Sequence, residues 1–211
     1  MRGRFITFEG GEGAGKSTQI SFLAAALERL GISVVQTREP GGSPGAEEVR
    51  ALLVKGEAGR WDGISETLLL FAARRNHLQT VIRPALERGA WVLCDRFNDS
   101  TLAYQGYGRG LDPDWLAGLY QAVSEGLEPD LTLYLDVPVE VGLARAGRRG
   151  DDENRFEGLA DAFHLKIRSG FQAIVRANPQ RCATIDGMGS VDEIRRVILE
   201  TVTSRLMGPG R

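Results

Sequence analysis

The fold of this chain is decided by the stretch Gly10-Gly11-Glu12-Gly13-Ala14-Gly15-Lys16-Ser17, which matches the phosphate-binding pattern G-x-x-x-x-G-K-[ST]. The apolar run Phe5-Ile6-Thr7-Phe8-Glu9 before it is typical of a buried strand, and residues 18–30 after it carry apolar side chains at helical spacing. Glycines let backbone N–H groups turn toward phosphate oxygens, and the helix N-terminus adds its dipole. Lys16 supplies a cation and Ser17 a hydroxyl for Mg²⁺. The stretch predicts a nucleoside triphosphate site rather than a plain glycine-rich turn.

Composition limits the remaining possibilities. The 211 residues, 42% of them hydrophobic, suit one α/β domain spanning residues 1–211. A net charge of −2 gives no reason to expect nucleic acid as a partner. Cys94 and Cys182 lie in apolar runs, so we expect reduced core thiols. With no signal peptide or membrane-spanning run in the sequence, we expect a cytoplasmic protein without a membrane partner.

Strand-like and helical segments alternate along the chain. Strands are predicted at residues 5–9, 33–37, 91–94, 131–137 and 181–186, and helices at 18–30, 65–88 and 191–206. Alternating βα units predict a parallel sheet with helices on both faces. Ligands of such sheets bind outside the carboxyl ends of the strands, which is where the phosphate-binding loop and the loops after the second and third strands fall.

Two of these loops carry charged pairs. Asp95-Arg96 follows the third strand, where the acid can hold Mg²⁺ or orient its neighbour, and Arg96 can grip a phosphate with its planar guanidinium. The alternative is a surface Asp–Arg pair, which the nearby phosphate-binding loop disfavours. The segment 37–42, Thr-Arg-Glu-Pro-Gly-Gly, is either a plain turn or a loop that approaches a charged ligand closely.

Residues 145–157 form the charge-dense part of the chain. They contain four arginines, four acids and two glycines. A solvated connection between helices is one interpretation. The other is a mobile lid, because phosphoryl transfer needs positive charge near the transferred group and exclusion of water.

Together these motifs resemble the thymidylate (dTMP) kinase family, and the resemblance extends over essentially the whole chain. It rests on the loop at 10–17 and on Thr-Arg-Glu-Pro-Gly-Gly, Asp-Arg-Phe-x-x-Ser-Thr at 95–101, Ala-Tyr-Gln-Gly at 103–106 and Pro-Asp-Leu-Thr-Leu-Tyr-Leu-Asp-Val at 129–137. The resemblance implies a P-loop nucleoside monophosphate kinase, with a five-stranded parallel sheet flanked by helices and a mobile lid. It also implies ATP and dTMP as substrates, Mg²⁺ as cofactor and a homodimer.

The resemblance further implies which residues form the site. The ATP-binding residues are expected to be Gly10, Gly11, Glu12, Gly13, Ala14, Gly15, Lys16, Ser17 and Thr18. Those that bind dTMP are expected to be Glu12, Arg38, Glu39, Arg50, Phe71, Arg74, Arg96, Ser100, Thr101 and Gln105. The expected catalytic residues are Lys16, Asp95, Arg96, Arg149 and Arg155, and the expected Mg²⁺ ligands are Ser17, Asp95 and Glu157.

The thymine-reading arginine has two possible registers. The family usually has a phenylalanine four residues before that arginine, which would pair Phe71 with Arg75. Counting instead from Glu66 gives Arg74 the arginine position and Leu70 the phenylalanine position. We prefer Arg74 and leave the stacking residue open. Because no arginine occupies the variable positions of the phosphate-binding loop, the catalytic arginine is expected in the lid.

Two other functions compete with this one. A kinase for another monophosphate or for a deoxynucleoside would differ only in its base-contacting residues. A GTPase-like switch is the alternative from another class. Asp186-Gly187-Met188-Gly189 matches D-x-x-G, but the sequence has no N-K-x-D motif to read guanine.

Overall fold

The sheet forms as the sequence predicts. The computed structural model describes residues 2–55, 59–147 and 161–208. Within them, five parallel strands form one sheet in the order β2-β3-β1-β4-β5. The strands are β1 (Phe5–Glu9), β2 (Val34–Arg38), β3 (Trp91–Asp95), β4 (Leu131–Asp136) and β5 (Cys182–Asp186).

The helices extend beyond those predicted from apolar spacing. The described residues form α1 (Lys16–Arg29), α2 (Pro44–Val54), α3 (Gly63–His77), α4 (Arg83–Glu87), α5 (Asn98–Thr101), α6 (Pro113–Ser124), α7 (Val139–Ala146), α8 (Asp161–Ala177) and α9 (Val191–Val202). The predicted helix at 65–88 consists of α3 and α4 joined by a π-helical turn, Leu78–Ile82. Similar turns, Leu102–Gly108 and Thr203–Met207, extend α5 and α9. Helices α2, α5, α6, α7 and α8 are additional.

Helices cover both faces of the sheet because successive side chains of a strand point to opposite sides. On β1, Ile6 and Phe8 join a core cluster with α1 and α9. Phe5 points the other way, into a cluster with α3, α4 and α6. Cys94 and Cys182 are buried free thiols, as expected. No helix in the described ranges is long and apolar enough to cross a membrane.

Buried Glu9, the last residue of β1, holds the turn that follows β3. Its Oε1 accepts a hydrogen bond from the Phe97 backbone N–H at 2.8 Å, and its Oε2 accepts one from Ser100 Oγ at 2.5 Å. Directly after β3, Arg96 adopts φ of 65°, which is unfavourable for a residue with a Cβ. Its own N–H donates to Phe8 O at 2.9 Å. Hydrogen bonds on both sides therefore hold Arg96 in a conformation that it would not adopt alone.

The burial of Glu9 changes its acidity. Desolvation, followed by the nearby Asp99 carboxylate, raises the pKa of Glu9 from 4.5 to about 7. Between these two values the folded protein retains a proton that the unfolded chain releases. The free energy of unfolding contributed by this group is therefore fully present below pH 4.5 and is lost as the pH rises through about 7.

Replacing this carboxylate tests that assignment. We expect the wild-type protein to lose unfolding free energy relative to Glu9→Gln as the pH rises from about 5 to about 8, because the amide does not titrate in this range. Urea denaturation at several pH values measures the difference. Glu28→Gln, at an exposed position of α1, is the control. Parallel stability profiles for the wild type and Glu9→Gln would contradict the assignment.

Candidate functional site

The loop between β1 and α1 is shaped by glycines that no other residue could replace easily. Gly13 has φ of 63°, and a Cβ at this position would lie 2.0 Å from the carbonyl oxygen of Gly142 on α7. Gly15, with φ of 88°, directly precedes the first helical residue, Lys16. The left-handed backbone of Gly15 ends the loop, so α1 begins at Lys16, two residues before the predicted position.

Lys16 lies inside the loop. Its Nζ donates to Gly10 O at 3.3 Å and to Gly11 O at 3.1 Å. Burial, and next the charge of Arg96, lowers the pKa of Lys16. The loop therefore encloses a partly desolvated cation at the N-terminus of α1, which is an arrangement suited to phosphate oxygens.

Ser17 and Asp95 provide adjacent oxygen atoms beside the loop. Ser17 Oγ donates to Asp95 Oδ2 at 2.8 Å, and Lys16 Nζ lies 4.0 Å from Asp95 Oδ1. Hydroxyl and carboxylate oxygens are the ligands that Mg²⁺ takes, usually alongside substrate phosphates and water. The described residues contain no cluster of three or more His, Cys, Asp or Glu suited to a metal. The two oxygen atoms of this pair fit a Mg²⁺ ion whose remaining ligands come from nucleotide phosphates and water.

Arg96 connects the loop to a neighbouring cavity. Its Nη1 donates to Gly10 O at 2.9 Å, and its Nη2 donates to Glu12 Oε1 at 2.7 Å. Tyr104 donates to the same Glu12 oxygen at 2.8 Å, and the Arg96 guanidinium lies over the Tyr104 ring. The guanidinium is consequently fixed at the boundary between the phosphate-binding loop and the cavity.

The cavity collects most of the residues expected to bind dTMP. Its lining consists of Glu12, Glu39, Pro40, Arg50, Leu53, Val54, Leu70, Arg74, Arg96, Phe97, Ser100, Thr101, Tyr104 and Gln105. Of the expected set, the lining lacks two residues, Arg38 and Phe71. Arg38 instead donates to both carboxylate oxygens of Glu47, at 2.9 and 3.0 Å. Glu47 also accepts a hydrogen bond from the Gly42 N–H. No local sequence pattern predicts that Arg38 and Gly42 share this partner.

The two arginine registers differ clearly in geometry. Buried Arg74 lines the cavity, where its Nε donates to Glu39 at 2.7 Å and its Nη2 to Thr101 at 3.0 Å. Arg75 lies elsewhere, donating to Val123 O at 2.9 Å and pairing with Glu125 at 2.8 Å. A shift of one residue along a helix rotates the side chain by about 100°, which explains why only one of the two reaches the cavity.

The aromatic surroundings of Arg74 differ from the expected arrangement. Phe71 is buried in the core and carries the Arg74 guanidinium over its ring, with 5.0 Å between the guanidinium carbon and the ring centroid. Leu70 lines the cavity, as does Phe97, which lies 5.0 Å from the same guanidinium. Phe97 was not expected at the site, although it belongs to the Asp-Arg-Phe motif.

Glu39 is buried and holds Arg74 in place. Its Oε1 lies 3.1 Å from His77 Nδ1, and Thr37 Oγ1 lies 2.7 Å from His77 Nε2. Burial acts to raise the pKa of Glu39, but Arg74 and then His77 outweigh it and lower the pKa. Glu39 is thus an ionised support for the guanidinium.

Part of the expected site lies outside the described residues. This applies to Arg149, Arg155 and Glu157. Arg145, at the start of the expected lid, is described, and its Nη1 donates to Gly187 O at 3.2 Å, just after β5.

Comparison with known proteins identifies the family. The thymidylate kinase family model matches residues 8–198. The thymidylate kinases of Caulobacter vibrioides and Magnetococcus marinus are each 53% identical over 205 residues, covering 97% of this chain and 98% of theirs. The crystal structure of thymidylate kinase from Ehrlichia chaffeensis superposes with a TM-score of 0.79 at 35% identity, covering 96% of this chain and all of that one. Sequence, fold and loop geometry agree, and the chain belongs to the thymidylate kinase family.

Proposed function

We propose that residues 1–211 form one domain that phosphorylates dTMP to dTDP with ATP and Mg²⁺. The observation that carries the proposal is the position of Arg96, which lies between a triphosphate-type loop and a separate, arginine-lined cavity. A nucleotide switch needs one nucleotide site, whereas a phosphotransferase needs donor and acceptor sites whose phosphates meet. The presence of a cavity separate from the phosphate-binding loop therefore favours a phosphotransferase over a nucleotide switch.

Positioning and charge carry the reaction. ATP phosphates bind the loop formed by residues 10–18, with Lys16 at the outer phosphates. An oxygen of the dTMP phosphate attacks the γ-phosphorus, and the bond from that phosphorus to the β,γ-bridging oxygen breaks, which releases ADP. Arg96 neutralises charge on the acceptor phosphate and holds it in line. Ser17 and Asp95, with Glu157 as a further proposed ligand, would hold Mg²⁺, which would supply charge neutralisation at the ATP phosphates.

The cavity accepts the nucleoside. Arg74 is proposed to donate to the thymine edge, with Gln105 and Thr101 beside it. Arg50 and Ser100 line the same cavity. Arg38 lies outside the described lining, so we propose that it reaches the dTMP phosphate by exchanging Glu47 for that phosphate.

The assembly and location remain part of the proposal. Leu52 on α2 and Ile64 and Leu68 on α3 are 39%, 52% and 49% exposed, on two helices that pack together. Large exposed apolar side chains on neighbouring elements favour a protein interface, and we propose a homodimer of cytoplasmic enzyme.

A panel of monophosphates tests the function directly. ADP release with ATP should be strong with dTMP and weak with dCMP, dGMP or dAMP.

Loss of the loop cation, Lys16, provides a second test. Lys16→Ala should lower kcat by about 10²-fold or more, because it removes an electrostatic stabiliser of the transferred group. Circular dichroism checks the fold of the variant. Transfer that prefers another monophosphate, or near-normal turnover by Lys16→Ala, would refute this function.

The two neighbouring arginines provide a matched pair. Arg74→Ala should raise the KM for dTMP by about 10- to 100-fold, since a buried charged hydrogen bond is worth about 1.5–3 kcal/mol. Arg75→Ala should change KM little, because Arg75 pairs with Glu125 instead. Thermal denaturation of both variants measures how far the fold suffers when Arg74→Ala removes an ion-pair partner of the buried Glu39 carboxylate. The opposite ranking of KM values would assign base contact to Arg75.

We propose that arginines of residues 145–157 supply further positive charge near the transferred phosphoryl group. Alanine replacements of Arg145, Arg148, Arg149 and Arg155 are assayed at saturating ATP and dTMP. Arg149→Ala or Arg155→Ala should lower kcat by about 10²-fold with little change in KM, because the contact belongs to the transition state. Arg196→Ala, on the exposed face of α9, is the control. Full kcat in all four variants would show that the segment is a solvated connection.

A further inference from the structure

A buried carboxylate lies directly behind Gln105. Gln105 lines the cavity, and its Nε2 donates to Glu66 Oε1 at 2.9 Å. Glu66, on α3, is fully buried and is not part of the cavity lining. Arg109 donates to both of its oxygens, through Nε at 2.8 Å and Nη2 at 2.9 Å.

In the ion pair with Arg109, Glu66 is a carboxylate, and both of its oxygens only accept hydrogen bonds. A side-chain amide has one donor end and one acceptor end. If Gln105 turned over, its oxygen would face a carboxylate oxygen of Glu66, so that two acceptors would meet and the hydrogen bond from Gln105 to Glu66 would be lost. Glu66 therefore keeps the NH₂ end of Gln105 toward itself and leaves Oε1 for the cavity.

Arg74, another polar residue of the cavity lining, offers donors where Gln105 offers an acceptor. Arg74 has five N–H donors and no acceptor. Glu39, Asn98 and Thr101 each accept one of these donors. The cavity thus offers donors from Arg74 and an acceptor from Gln105.

This polarity distinguishes two classes of pyrimidine. Thymine and uracil present a carbonyl acceptor at C4 and an N–H donor at N3. Cytosine presents an amino donor at C4 and an acceptor at N3, which reverses both. A site whose buried polar groups match one pattern rejects the other strongly, because its own groups are left unpaired.

We propose that Glu66 is a positioning residue that selects 4-keto pyrimidines: by fixing the Gln105 amide, it makes the cavity accept a base with N3–H. The inference rests on the proposed function and assigns a role to a side chain that does not touch the substrate. It predicts that the role of Glu66 in selectivity operates through Gln105 and not through the general stability of α3.

A double-mutant cycle tests this role. The variants are Gln105→Met, the pair Glu66→Met/Arg109→Met, and the triple combination, each assayed for kcat/KM with dTMP and with dCMP. Removing Glu66 and Arg109 together exchanges an ion pair for apolar side chains of similar length, which is often tolerated. Thermal denaturation measures the remaining effect on the fold.

We expect Gln105→Met and Glu66→Met/Arg109→Met each to lower the preference for dTMP over dCMP by about tenfold or more. The triple variant should be no less selective than Gln105→Met alone, because both changes remove the same oriented amide. A purely structural role would lower kcat for both substrates and leave their ratio unchanged.

Three results would overturn the inference: unchanged selectivity of Glu66→Met/Arg109→Met, selectivity losses that multiply in the triple variant, or unchanged selectivity of Gln105→Met. The last stays informative even if the other variants fail to fold. Wild-type protein that transfers nothing to dTMP would instead refute the proposed function itself.

Discussion

The arrangement of this site depends on the way Arg96 is held. Its backbone lies in the left-handed region, and its guanidinium bridges the Gly10 carbonyl and the Glu12 carboxylate. Such a conformation persists only where the surroundings impose it. Here the imposing groups are Phe8 and Glu9 of β1, so the same strand that leads into the phosphate-binding loop also aims the arginine at it.

Three arginines at and near the site, one buried and two partly exposed, each pair with a carboxylate from another segment of the chain. Arg74 pairs with Glu39, Arg96 with Glu12 and Arg109 with Glu66. Buried ion pairs contribute little net stability, because desolvation offsets their attraction, but removing one partner is costly. Their consequence here is orientation: every cation that lines the cavity has part of its donor set bound by protein, which fixes the direction of the remaining donors. Glu39 and Glu66 thus orient the side chains of Arg74 and Gln105, respectively.

Local pattern predicted the part of this structure that depends on local physics. The five strands follow from apolar runs and the phosphate-binding loop from its glycines, whereas the preference for Arg74 over Arg75 comes from the family pattern counted from Glu66. The membership of the cavity depends on contacts distant in sequence. Glu47 turns Arg38 away from the lining, and Phe97 reaches it through the turn after β3. Nothing in the spacing around these residues indicates such partners, because tertiary contacts and not periodicity decide them.

The balance of charge among the described groups leaves little net positive charge for phosphoryl transfer. Lys16 and Arg96 face Glu12 and Asp95 across short distances, so these four groups nearly cancel. A monophosphate brings about two negative charges, and a triphosphate brings more. Mg²⁺ offsets only two of them. The excess must be neutralised by cations beyond these four groups, and the arginines of residues 145–157 are the densest source in the sequence. Because Glu12 already binds Arg96, an acceptor phosphate bound as proposed would share this guanidinium with Glu12, which increases the need for a further arginine when the two phosphates meet.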